Sequence, residues 1–141
     1  MIFDGYHLYR VLKMENIDPD FCQEFTITGK RGKTRRISAP SRSLKIRQRW
    51  VLDHILYQIS VAECCEGFLK NHSICTNAKN HIGYNQSLNL DIKDFFPSIT
   101  QDRVFQVFHE MGYSTDAARG LASLCCHEGK LPQELNEILW E

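Results

Sequence analysis

Leu90-Asp91-Ile92-Lys93-Asp94-Phe95-Phe96-Pro97-Ser98-Ile99 is the stretch on which the fold turns. Apolar residues lead into Asp91, Asp94 lies three positions later, and two aromatics and a proline follow. That order suits a strand over Ser87 to Asp91 that carries a carboxylate to the lip of a sheet. There the carboxylate can hold a metal ion, and the backbone carbonyl of Ile92 can add a second hard oxygen. An N-cap aspartate above an aromatic core would use the same residues without any chemistry. Metal-dependent reactions on phosphates usually need more than one carboxylate, because the cations' charge must be shared.

Upstream, Glu24 to Gly29 alternates as a strand with Phe25 and Ile27 on one face, and Thr34 to Ala39 returns with Ile37 inward. The turn between them, Lys30-Arg31-Gly32-Lys33, makes a basic hairpin with a glycine tip. Such a hairpin can fold over a triphosphate, Arg35 giving paired hydrogen bonds and lysine a point charge. It is equally what a sheet edge kept soluble by its charges looks like. Ser41 or Ser43 can cap a helix from about Leu44 to Ile59, buried along Leu44, Val51, Ile55 and Ile59. Before the hairpin, residues 6 to 15 have helical spacing.

Further along, Ser60 to Phe68 is a connection, and Ser73 can cap a short helix through His81 that Gly83 stops. Thr100 or Gln101 opens a helix through Met111, with Val104, Phe105, Val107 and Phe108 expected inside. Gly112 ends it, and Ser114 caps another helix through about Cys126. The class is α+β.

At 141 residues with 43% apolar and 24% charged side chains, the chain has the bulk of one globular domain. No run approaches the roughly 20 apolar residues of a membrane span, and the start shows no secretory signal, so the cytoplasm is the expected location. The formal net charge of zero hides an asymmetry. Residues 25 to 52 carry nine basic side chains and no acid, while residues 86 to 141 carry nine acids against four bases. A basic lobe beside an acidic one fits a polyanion grip paired with a metal site. Six cysteines have no Cys-x-x-Cys spacing, so reduced, mostly buried thiols are expected rather than zinc or disulfides.

Taken in order, these pieces resemble bacterial reverse transcriptases of the retron and group II intron type. The resemblance runs over roughly Phe25 to Gln133. It rests on the Lys30 to Pro40 hairpin, Leu44-Lys45 with Gln48-Arg49-Trp50, Gly67-Phe68, and Ser73-Ile74 with Asn77-Ala78 and His81. Leu90 to Ile99, Gly112-Tyr113-Ser114 and Leu131-Pro132-Gln133 complete it. The resemblance implies a right-hand polymerase: an N-terminal helical segment (1–24), basic fingers (25–85), and the start of a ferredoxin-like palm (86–133). Residues 134–141 diverge from the family.

On that resemblance Arg35 looks like the finger arginine on the incoming deoxynucleotide's triphosphate, with Lys30 or Lys33 assisting. Asp91 looks like the first catalytic metal-binding aspartate, with Ile92 lending its carbonyl to Mg2+. Phe96 is similar to the aromatic gate that excludes a ribose 2′-hydroxyl, and Gln133 to the glutamine that contacts the nucleotide. Arg42, Lys45, Arg49, Ser73 and Asn77 are the candidates for the backbone of the RNA template and DNA primer.

The family's aromatic-x-Asp-Asp pair is absent, and the residues after Gln133 depart abruptly from its pattern. A frameshift, an early stop or a split gene would give that. The expectation is a polymerase portion inactive by itself. The other readings are a nucleic-acid-binding remnant without catalysis, a pseudogene product, and one part of a split enzyme with a complementing C-terminal chain. The retron-like wording of Leu90 to Ile99 favours phage defence over intron mobility.

Overall fold

The computed structural model describes residues 5–12, 22–28, 32 and 34–132. Its elements are α1 (Gly5–Leu12), β1 (Cys22–Thr28), β2 (Thr34–Pro40), α2 (Arg42–His54), α3 (Ile74–Lys79), α4 (Gln101–Glu110) and α5 (Thr115–Cys125). Short 3-10 turns occupy Leu56–Gln58 and Phe96–Ser98. The α+β class holds at this level. None of the described helices is long and apolar enough to cross a membrane. The chain divides into two compact units, one made of residues 1–49 and 94–141, the other of residues 50–93.

In the first unit β1 and β2 pair antiparallel, with Phe25 opposite Ile37 and Thr28 opposite Thr34. Phe25 and Ile37 share a face as their alternation requires. Only Ile37 is buried, however; Phe25 stays 48% and Ile27 38% exposed. Gly32, in the connection, has φ +72°, a conformation glycine adopts without steric cost.

The core of this unit is built on α5. Ala117, Ala118, Leu121 and Ala122 are fully buried, and α1 and α4 pack against this helix. Its small residues let neighbours approach closely, and Leu8, Leu12 and Phe108 are buried in the same unit. Polar stitches add direction: Gln48 Nε2 donates to the Leu124 carbonyl at 2.8 Å, and Arg47 Nε to the Leu12 carbonyl at 2.7 Å. Both carbonyls lie at helix C-termini, where the last carbonyls lack an intrahelical partner. Gln101 Nε2 donates to Ser123 Oγ at 3.0 Å, tying α4 to α5.

The helix ends follow the expected signals. Thr100 caps α4 by accepting from the Arg103 amide, and Ser114 caps α5 by accepting from the Ala117 amide. Gly112, at φ +92°, provides the left-handed turn after α4 that a side chain would strain. Val107 departs from expectation: it is 52% exposed, and Val104 and Phe105 are half-buried, so Phe108 alone of that group is buried. A ten-residue helix presents one stripe, and consecutive apolar residues cannot all lie on it.

In the second unit the regular helix stops at His54 rather than Ile59. Leu56–Gln58 tightens into a 3-10 turn, Ile59 turns extended, and its side chain is 40% exposed. Val51 and Ile55 are buried as their spacing predicts. Ser73 caps α3 in a reciprocal box with Thr76, and Gly83 has φ +91°.

The strand expected over Ser87 to Asp91 does not form. β1 and β2 are the only strands of the described sheet, and residues 85 to 92 carry no ladder bonds. Leu88, Leu90 and Ile92 keep strand-like alternation, yet are 83%, 80% and 67% exposed. A strand needs a neighbour to bond with, and the described residues bring none to this segment.

Candidate polymerase-type site

Asp91 sits in irregular chain within the second unit, its side chain exposed, and Ile92 follows it in the same unit. The unit boundary falls between Lys93 and Asp94, so the two aspartates of the motif lie in different units. Asp94 has φ +51°, and its carbonyl accepts the Ser98 amide at 3.0 Å. This bond, with Ser98 Oγ donating to the Phe95 carbonyl at 2.6 Å, winds Phe96-Pro97-Ser98 into the 3-10 turn. Phe95 and Phe96 meet edge to face at 5.4 Å, and Phe96 is half-buried.

The Leu131-Pro132 segment is brought to the end of this turn. Leu131 N–H donates to the Ile99 carbonyl at 3.0 Å, and Gln101 N–H to the Gly129 carbonyl at 2.8 Å. Two motifs about 30 residues apart in sequence thus meet within the first unit. Gln133 itself lies outside the described residues, as do Lys30 and Lys33. Arg35 is on β2 opposite Ile27. Arg42 and Arg49 are exposed on α2 and Lys45 is half-buried there. All four belong to the first unit, whereas Ser73 and Asn77 belong to the second.

Ser73 has two uses. Its oxygen accepts the Thr76 amide at 3.3 Å as the cap of α3, while its hydroxyl hydrogen remains available to an acceptor such as phosphate. Asn77 is exposed on the same short helix.

Sequence reasoning missed Glu66, the organising residue of this region. Its carboxylate accepts from His72 Nδ1 at 2.8 Å, Thr76 Oγ1 at 2.9 Å and Asn80 Nδ2 at 2.6 Å. Because a carboxylate only accepts, the His72 proton in this bond must sit on Nδ1. The His72, Thr76 and Asn80 hydrogen bonds hold the Glu66 carboxyl below its ordinary value. The signal was there: these three polar residues recur every four positions, one face of a helical turn looking for an acceptor.

The thiols also correct an expectation. All six are free, but Cys64, Cys65 and Cys75 are exposed, and Cys22, Cys125 and Cys126 are only half-buried. Burial pushes Cys125 up to about 12 and Cys126 up to about 11, which leaves both as unreactive thiols at neutral pH.

No family model matches the chain. Curated relatives do, among them three retron reverse transcriptases. The retron Ec86 reverse transcriptase of Escherichia coli is 46% identical over 133 residues, which is 94% of this chain and 38% of that protein. The retron Mx65 reverse transcriptase of Myxococcus xanthus is 37% identical over 116 residues, 82% of this chain and 27% of the relative. The retron Se72 reverse transcriptase of Salmonella heidelberg is 34% identical over 121 residues, 85% of this chain and 32% of the relative.

Reverse transcriptases generally use a divalent metal. Asp91 has the right donor, an exposed hard carboxylate, but no group of three ligating side chains among the described residues includes it. One carboxylate does not make the site that two cations would need. The chain is thus similar over 94% of its length to a retron reverse transcriptase, and it spans about 38% of the length of that Ec86 relative.

Proposed function

We propose that this chain is the fingers (25–85) and beginning palm (86–133) of an RNA-directed DNA polymerase, inactive in deoxynucleotidyl transfer by itself. The observation that carries this is the 46% identity to a retron reverse transcriptase over 133 residues. The order of its motifs supports the same assignment.

In the complete enzyme, Arg35 with Lys30 and Lys33 would hold the triphosphate of the incoming deoxynucleotide through charge-assisted hydrogen bonds. Gln133 would contact that nucleotide, and the Phe96 ring would close the space a 2′-hydroxyl needs. Arg42, Lys45, Arg49, Ser73 and Asn77 would neutralise or hydrogen-bond the backbone of the RNA template and DNA primer. Asp91 and the Ile92 carbonyl would be ligands for Mg2+, which when bound draws charge from the phosphoryl oxygens and the departing pyrophosphate. Further carboxylates would come from a complementing C-terminal chain.

The test is reconstitution. The purified 141-residue protein should incorporate no deoxynucleotide on a primed RNA template. Mixing in the remaining length of a retron reverse transcriptase as a separate chain should restore incorporation, and Asp91→Ala should abolish it. Incorporation by the single chain, or by the Asp91→Ala mixture, would overturn the assignment.

A second reading, retained binding without catalysis, is favoured by the nine bases and no acid over residues 25 to 52. Filter binding to single-stranded RNA should then weaken as salt rises, with a slope of about −0.7 per phosphate neutralised. Absence of RNA affinity at low salt would sink that reading.

A further inference from the structure

Away from Asp91, the first unit holds a group of side chains that the polymerase reading does not use. Glu24 of β1 lies beside His127 and Glu128 in the turn that follows α5, and the three offer ligand atoms all within 4.8 Å of one another. We propose that Glu24, His127 and Glu128 form a site for one divalent ion of zinc's class, clipping the β1–β2 hairpin to the turn after α5.

The turn holds two of the ligands in place. His127 N–H donates to the Lys130 carbonyl at 2.9 Å, and Lys130 N–H returns to the His127 carbonyl at 3.2 Å. Glu128 and Gly129 between them have φ +51° and +78°, the signs of a tight primed turn. Thr100 bridges to Lys130, so the turn is fastened to the start of α4.

Distances fit the ion better than they fit a hydrogen bond. His127 Nε2 stands 3.6 Å from Glu24 Oε1, too far for a hydrogen bond. Zinc bonds of about 2.0–2.2 Å place neighbouring tetrahedral ligands roughly 3.4 Å apart, close to that separation. The Glu128 side chain is exposed and can close the remaining gap by rotamer change.

His127 supplies the independent observation. Part of its ring is open to solvent, but Nε2 is sealed from it and has no hydrogen-bond partner among the described residues. A buried ring nitrogen without a partner is costly, and a metal bond would satisfy it. Two carboxylates and a neutral imidazole match a dication's charge, and the mixed N/O donor set suits Zn2+ or Co2+ rather than Mg2+ or Ca2+. Three protein ligands leave a position for water.

Equilibrium titration of the full 141-residue chain, kept reduced, with Co2+ and then Zn2+ tests the site. One ion should bind, with weak visible bands of nitrogen and oxygen ligation and no thiolate-to-cobalt charge-transfer band. Glu24→Gln and Glu128→Gln, both at exposed positions, should each weaken binding at least about tenfold, with far-UV circular dichroism unchanged. Zn2+ should raise the melting temperature of the native chain and not of these variants. No uptake would reduce the cluster to an ion pair. A thiolate band, or unchanged affinity in both variants, would assign the metal to the exposed cysteines. Either result overturns the proposal.

Discussion

Glu66 shows how a single carboxylate can hold a region with almost no buried apolar side chains of its own. Between Glu66 and Asn80, none of the residues is fully buried, and hydrogen bonds to one acceptor replace a core. This arrangement carries a pH signature. The folded carboxyl titrates below its ordinary value of 4.5, so the folded state binds fewer protons than the unfolded one in that range. The contribution is therefore complete above about pH 4.5 and is lost as pH falls through the lowered folded value. The protection of the Thr76 amide, its exchange rate taken relative to the intrinsic rate at each pH, should fall in the native chain across that window. In Glu66→Gln that protection should be low throughout and no longer change with pH there. Asp91 offers the contrast: nothing in the fold depends on its exposed side chain, so Asp91→Asn should leave the melting temperature unchanged in a thermal scan while removing reconstituted polymerase activity.

Among the elements, those whose ends are written in local chemistry were legible from sequence. Ser73, Thr100 and Ser114 each cap the helix assigned to them, because a side-chain oxygen satisfying an early amide is a contact over three residues. Ser114→Ala should cost about 1 kcal/mol, seen as a fall of roughly 3–4 °C in the melting temperature by circular dichroism. Leu121 marks the opposite extreme, fully buried on the helix around which the first unit is built. Leu121→Ala should cost about 2–5 kcal/mol by denaturant titration, since both the transfer term and the cavity count there. Elements that depend on distant partners were not legible. Alternation from Leu88 to Ile92 is strand-like, yet no strand forms there, because pairing is decided by chain that must arrive from elsewhere and the described residues bring none. The end of α2 departs from its apolar periodicity for a related reason: the periodicity reaches Ile59, yet the 3-10 turn at Leu56–Gln58 breaks the helix first. Of the candidate site, the motif names the carboxylate and the aromatics as candidates but not their setting, since Asp91 lies in irregular chain rather than at the lip of a sheet. It gave no hint that Asp91 and Asp94 fall in separate units, because compactness is a property of contacts and not of spacing.

Taken whole, the chain leaves apolar side chains in water where a larger protein would cover them. Leu88, Leu90 and Ile92 alternate along one irregular segment, and Ile82 and Tyr84 just before it are 76% and 75% exposed. Burying side chains of this size is worth about 1.5–3 kcal/mol each, and unpaired backbone beside them can bond to any extended neighbour. Exposed apolar surface joined to unpaired backbone is the combination that drives association between copies. Net charge near zero removes the long-range repulsion that would oppose it. The purified chain should therefore self-associate reversibly as its concentration rises in sedimentation velocity. Leu88→Ser with Leu90→Ser should shift that distribution toward monomer and leave the unfolding midpoint unchanged, because neither side chain contributes to the core. A monomeric native chain at high concentration would contradict this, as would a double variant that associates equally well. If the segment is instead a strand awaiting the rest of a palm, the same variant should also weaken reconstitution of polymerase activity by a C-terminal chain.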